Sequence, residues 1–140
     1  MTLSQGGLPG QVPAIGEGPM PHRIFLVDDQ KEFLQLAHQL LSADPRITVV
    51  GQATSGDEAL ALMPALRPDA VILDVAMPGT DGFQVARRLL QRYPQVQVIM
   101  ISVTDHPEYS ALAERAGAVA FLNKRALSVD AVVNALLRES

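Results

Sequence analysis

Six side chains with chemistry to offer stand directly after short apolar runs of this 140-residue chain. Asp28-Asp29 follow the run 24–27, Asp74 follows 70–73, Ser102 follows 96–101, and Asn123-Lys124 follow 118–122. Three carboxylates held close together repel one another, so a fold that gathers them needs a compensating cation. Mg²⁺ suits that role, because it takes oxygen ligands in an octahedron and is satisfied by one or two carboxylates, a backbone carbonyl and waters. A metal-bound carboxylate beside a lysine and a hydroxyl is suited to phosphoryl transfer, which mainly needs positioning and neutralisation of charge on three equatorial oxygens. In such chemistry Asp74 would be the nucleophile and become an acyl phosphate. Mg²⁺ would bridge the carboxylates and one phosphoryl oxygen, Lys124 would neutralise a second, and Ser102 would donate to the third.

Singly, each residue has a plainer reading. Asp28 or Asp29 could simply cap a helix, a role Asp favours. Asp74 could be a loop residue ahead of the Met77-Pro78-Gly79 turn, Ser102 a strand-end hydroxyl bonded to backbone, and Lys124 a solvated surface lysine. Jointly these readings do poorly, since they leave the gathering of like charges without a reason. Removing Asp28 or Asp29 is accordingly expected to stabilise the metal-free fold.

The elements that must bring these residues together are legible from periodicity. The runs 24–27, 47–50, 70–73, 96–101 and 118–122 are strand-length and mostly rich in Val and Ile. They are nearly continuously apolar, as suits strands covered on both faces. Helical stripes lie between them: Phe33, Leu36, Ala37, Leu40 and Leu41; then Ala59, Leu62, Met63 and Leu66; then 83–93, stopped by Pro94. A weak stripe of Leu112, Ala113 and Ala116 makes the fourth helix, 107–116, the least anchored, and Val129, Val132, Val133, Leu136 and Leu137 make the fifth. Ser55-Gly56-Asp57-Glu58 reads as a capping box. Five βα units predict an α/β fold, a flavodoxin-like (βα)5 three-layer sandwich with parallel sheet order 2-1-3-4-5. Ligands of such sheets bind beyond the carboxyl ends of the strands, at the switch point between strands one and three. Asp28, Asp29 and Asp74 fall there.

Composition bounds the alternatives. Apolar residues make up 48%, charged residues 19%, and the net charge is −4. No Lys/Arg cluster appears, so direct contact with nucleic acid is not expected. Nothing resembles a membrane span or a secretory signal, and cysteine is absent, which fits the cytoplasm. Residues 1–21 hold five Gly, four Pro and the single charge of Glu17, and are read as a disordered extension, native or left by cloning. The folded domain is expected over 22–140.

At these spacings Phe25-Leu26-Val27-Asp28-Asp29, Leu73-Asp74-Val75-Ala76-Met77-Pro78-Gly79, Met100-Ile101-Ser102 and Phe121-Leu122-Asn123-Lys124 resemble the receiver domain of two-component response regulators. The resemblance implies phosphorylation of Asp74 by a sensor histidine kinase or phosphotransfer protein. It implies Mg²⁺ on Asp28, Asp29, Asp74 and the carbonyl of Ala76, with Lys124 and Ser102 assisting and Ser102 and Phe121 acting as a switch. The output surface would be the fourth helix, fifth strand and fifth helix, which could also form a homodimer. Such a domain is a signalling module, not an enzyme, beyond its own phosphotransfer and autodephosphorylation.

Arg125 stands where many receivers have Pro. That departure, with the stretches Ser102-Val103-Thr104 and Leu122-Asn123-Lys124-Arg125-Ala126, resembles receivers of helix-turn-helix transcriptional regulators. Whether the domain stands alone or was excised from such a regulator is left open. Ala76 and Thr104 occupy positions that, in the family, tune phosphate lifetime. Gly82 and Gly117 are read as backbone-conformation positions.

Other readings fit less well. A degenerate receiver, acting through protein contact alone, usually lacks one of the acidic, acceptor or lysine positions, and all are present here. Hydrolases of the haloacid-dehalogenase group place a second Asp two residues after the nucleophile, unlike adjacent Asp28-Asp29. A flavodoxin needs a hydroxyl-rich phosphate loop where Asp28-Asp29-Gln30-Lys31 stands.

Overall fold

The computed structural model describes residues 20–138, so all but the last two residues of the expected extension lie outside the described residues. Five parallel strands, β1 (His22–Val27), β2 (Ile47–Ala53), β3 (Ala70–Asp74), β4 (Gln97–Ser102) and β5 (Ala120–Asn123), form one sheet in the order β2-β1-β3-β4-β5. This is the expected order. The helices are α1 (Lys31–Ser42), α2 (Gly56–Leu66), α3 (Gly82–Arg92), α4 (Tyr109–Arg115) and α5 (Val129–Arg138).

The two-residue period of a strand divides the core into two clusters, one on each face of the sheet. Phe25, Val27, Val71, Leu73, Val98 and Met100 pack with Ala59, Met63, Ala86, Leu89 and Ala113, which come from α2, α3 and α4. Ile24, Leu26, Ile72, Ile99 and Ile101 pack with Leu34, Ala37, Leu41, Val132, Val133 and Leu136, from α1 and α5. Continuous apolar runs are therefore what three inner strands require. Of the edge strands, β5 is only half-buried throughout. β2 runs three residues further than its apolar run, to Ala53.

The stripe on α1 is displaced from the expected one. Leu34, Ala37 and Leu41 are buried, whereas Leu36 and Leu40 are 64% and 40% exposed. Two parallel stripes, 33/36/40 and 34/37/41, share the same spacing, and spacing alone does not choose which one meets the sheet. On α5, Leu137 likewise faces outward. The box opening α2 is half as expected: Ser55 Oγ accepts from Glu58 N–H at 3.1 Å, but Glu58 Oε1 reaches past the cap to Thr54 N–H at 2.8 Å. Helix α4 is short, has no side-chain cap, and within its span buries only Ala113. This is the weak anchorage its stripe predicted.

The segment after β3 is a small antiparallel ladder of Ala76–Met77 with Thr80–Asp81, turned through Gly79 at φ +69°. Asp81 then caps α3 by accepting from Phe83 N–H at 2.9 Å. Gly117 does adopt a left-handed φ of +97°, as a backbone-conformation glycine should. Gly82 has a different reason: a Cβ there would lie 2.3 Å from the Asp74 carbonyl oxygen and 2.5 Å from that of Val75. The start of α3 therefore presses on the backbone that carries Asp74, and Gly82 N–H bonds Val75 O at 2.8 Å. Gly82→Ala is expected to destabilise the domain by about 2 kcal/mol. Gly51→Ala should cost less, because its Cβ meets the flexible end of Leu66 rather than backbone. Urea denaturation of the two variants checks the ranking.

Candidate functional site

The carboxyl edge of the sheet gathers the predicted residues. Asp28 follows β1, its N–H held by Ala53 O at 3.0 Å, and its side chain is fully buried. Asp74 closes β3 and Ser102 closes β4, each 6% exposed. Lys124 opens a 3₁₀ turn, Lys124–Ala126, directly after β5. Carboxylate oxygens of Asp28, Asp29 and Asp74 lie within 4.8 Å of one another.

Lys124 is the counter-ion of this cluster. Its Nζ stands 2.6 Å from Asp28 Oδ2 and 3.6 Å from Asp74 Oδ2, with the lysine side chain only 6% exposed. Asp28 Oδ1 accepts from Gln30 N–H at 2.8 Å, forming a turn ahead of α1, whereas the plainer reading of Asp28 or Asp29 as the helix cap is not met, because Gln30 is the N-cap and makes no side-chain cap bond. Asp28 Oδ2 is buried and receives the ammonium's charge but no well-directed hydrogen bond. Asp74 Oδ1 accepts weakly from Ala76 N–H at 3.4 Å.

These surroundings push the Asp74 carboxyl up to about 6. Burial is the main cause, followed by the charge of Asp28, with a smaller push from Asp29; Lys124 and the Ala76 N–H pull the other way. The donor set fits a hard divalent cation. It is all-oxygen, anionic, crowded enough to resist full ionisation, and includes one buried oxygen lacking a directed donor. The cluster could hold such an ion.

Ser102 and Phe121 lie on neighbouring strands but face different partners. Ser102 Oγ accepts from Thr104 N–H at 3.0 Å and so faces its own loop. Phe121 lies half-buried on the α4 side, its ring 5.9 Å from that of Tyr109. Periodicity did not reveal the residues around this loop. Tyr109 packs its ring on Phe83, His106 and Phe121. Asn123 Nδ2 donates to Asp105 Oδ1 at 2.8 Å, and Arg125 donates to Val103 O at 3.3 Å. Gln30 and Phe33, at the start of α1, both touch Lys124.

The domain is thus a parallel five-strand α/β fold whose switch point carries an acidic cluster paired with a lysine. The chain is a member of the response regulator receiver domain family, which matches residues 24–136. Transcriptional regulatory protein DegU of Brevibacillus brevis is 31% identical over 114 residues, which span 81% of this chain and 48% of that protein. Protein-glutamate methylesterase/protein-glutamine glutaminase 3 of Anaeromyxobacter dehalogenans is 44% identical over 103 residues, 73% of this chain and 30% of that protein. The signal receiver domain of NarL from Mycobacterium tuberculosis is similar in structure, with TM-score 0.76 and 35% identity over 83% of this chain and 96% of that one. The chain spans less than half the length of these two curated relatives. One is named a regulator of transcription and the other an enzyme, so the shared segment does not fix an output. Among the described residues no helix is long and apolar enough to cross a membrane.

The geometry separates two carboxylates that the sequence treated alike. Asp29→Ala removes a like charge and should raise stability in a chelator. Asp28→Ala removes the closest partner of a buried ammonium and the acceptor for Gln30 N–H, and should lower it by at least about 2 kcal/mol. For Asp74 the folded value, about 6, exceeds the ordinary value of 3.8, so the folded state holds the proton more tightly. Stability is then lost as pH rises from about 4 through 6, by of order 2 kcal/mol. Asp74→Asn should abolish that slope and melt higher than wild type at pH 7.5 without metal. Thermal melts in a chelator across this pH range check all three.

Proposed function

We propose that this domain accepts a phosphoryl group on Asp74 from a sensor histidine kinase or phosphotransfer protein, and that the phosphorylated domain switches the α4–β5–α5 surface to regulate an output. The observation that carries this reading is the lysine ammonium set between two buried carboxylates, 2.6 Å from Asp28 and 3.6 Å from Asp74. It leaves one carboxylate at a strand end with a cation beside it.

An Asp74 oxygen would attack the phosphorus of a phosphohistidine, forming the O–P bond as the N–P bond breaks and the imidazole leaves. Asp28, Asp29, Asp74 and the Ala76 carbonyl would hold Mg²⁺, which supplies neutralisation of charge on the transferring group. Lys124 would turn from Asp28 toward a phosphoryl oxygen. Ser102 would exchange its bond to Thr104 N–H for one to another phosphoryl oxygen. That motion draws on the loop after β4 and vacates space which Phe121, the half-buried ring beside α4, would fill. The same surface could pair two copies of the chain. A cytoplasmic location and no direct contact with nucleic acid accompany this reading.

Acetyl phosphate with Mg²⁺ should add one labile phosphoryl group to the wild-type chain, seen as a single mass shift, and Asp74→Asn should take up none. A shift retained by the Asn variant defeats the assignment. A wild type that stays unmodified favours the second reading, an interaction module that has lost phosphotransfer. Hydrogen exchange with and without beryllium fluoride checks the switch. Changes should gather between about Val103 and Lys124 and be blunted in Ser102→Ala, whereas changes centred on α2 would exclude this route.

A further inference from the structure

We propose that Phe33 is a positioning residue for Lys124: its ring holds the ammonium within reach of Asp74. This rests on the reading of Asp74 as acceptor. Lys124 Nζ has four neighbours: Asp28 Oδ2 at 2.6 Å, Gln30 Oε1 at 3.4 Å, Asp74 Oδ2 at 3.6 Å, and the Phe33 ring with its centroid at 4.5 Å. Of the three oxygens only Gln30 Oε1 accepts a directed hydrogen bond, and the two carboxylates hold the ammonium by charge. The ring closes a further side of it and meets the cation with the negative face of its quadrupole.

The four partners differ in what else claims them. Both carboxylates are also wanted by a divalent cation, and once Asp28 is so engaged its hold on Lys124 weakens. Gln30 is exposed, and its amide exchanges with water at little loss. Phe33 alone offers an attraction that neither a metal nor water takes over. It belongs to the packed start of α1, half-buried against the α1/α5 core. The ring thus keeps a nearly dry lysine in place when its ionic partner is withdrawn, the moment at which Asp74 needs a cation beside it. A leucine would fill the space and preserve the packing but present no quadrupole.

The test uses the full chain with residue 33 carrying Phe, mono-, di- and trifluorophenylalanine, Leu (Phe33→Leu) and Tyr (Phe33→Tyr). Melting temperature, the Lys124 ε-methylene proton shift and the rate of phosphorylation by acetyl phosphate with Mg²⁺ are measured for each. The rate should fall stepwise with fluorination to roughly fivefold slower, be equally slow in Phe33→Leu, and return in Phe33→Tyr, while melting temperatures stay level. The methylene signal should lose its ring-current shift only in Phe33→Leu. Equal rates across the series, or rates that track melting temperature, overturn the proposal. A wild type that takes up no phosphoryl group defeats the acceptor reading instead. The ring contact is then judged on the Lys124 signal, and an unchanged shift in Phe33→Leu overturns it.

Discussion

One ammonium group holds the working edge of this domain together. Asp28 and Asp74 are nearly or fully removed from water, and Asp29 adds a third charge within 4.8 Å. Unpaired, such a cluster could persist only by taking up protons, and Asp74 already leans that way. Lys124 relieves the crowding, and can do so only because β5 delivers it to the same edge that ends β1 and β3. The parallel topology is what makes this meeting obligatory. All five strands run the same way, so every strand-end residue emerges on one side, and the 2-1-3 order sets Asp28 beside Asp74. The register supports it: Val27 faces Leu73 on the neighbouring strand, one residue before each carboxylate.

An ion pair so placed is not there chiefly for stability. Taking two charges out of water costs several kcal/mol per ion, and their mutual attraction repays this only with good geometry and further hydrogen bonds. Here the closest contact, at Asp28 Oδ2, lacks a directed hydrogen bond. On the proposed function it is a site held ready, with a cation that would change partners. Gly82 belongs to the same constraint, since the backbone under Asp74 is fixed by a helix start that approaches too closely for any side chain.

The fold was almost wholly legible in the sequence, and so was the gathering of polar residues at the strand ends. Both rest on strong regularities: five βα periods, and polar residues placed after apolar runs. What escaped was whatever depends on a choice between equivalents. Phe33 belonged to an apolar stripe that looked like core, and only the packing of α1 shows Leu34 facing the sheet and Phe33 free to meet Lys124. Asp28 and Asp29 are indistinguishable as a pair in sequence, yet one is the buried partner of the lysine and the other is not. Tyr109 and Asp105 gave no signal, and Arg125 only a departure from the family pattern, because their contacts join residues distant along the chain and no local period records such bonds.

Those late contacts bear on how firmly the resting state is held. The loop after Ser102 is tied down by the exposed Asn123–Asp105 and Arg125–Val103 hydrogen bonds, each worth at most about 1 kcal/mol net. Tyr109 adds aromatic contacts with Phe83 and Phe121, of order 0.5–1 kcal/mol each beyond their buried area. Helix α4 contributes little of its own, since Ala113 is the only residue it buries. The sum is about 3 kcal/mol, the size of the gap between interconverting states of a two-state protein. One to three charge-assisted hydrogen bonds to a new phosphoryl group are enough to offset it. A better-packed α4 would need more than a phosphoryl group can supply. On the proposed function, the poor apolar stripe of that helix is the feature that would let a charge at the sheet edge be felt at the surface.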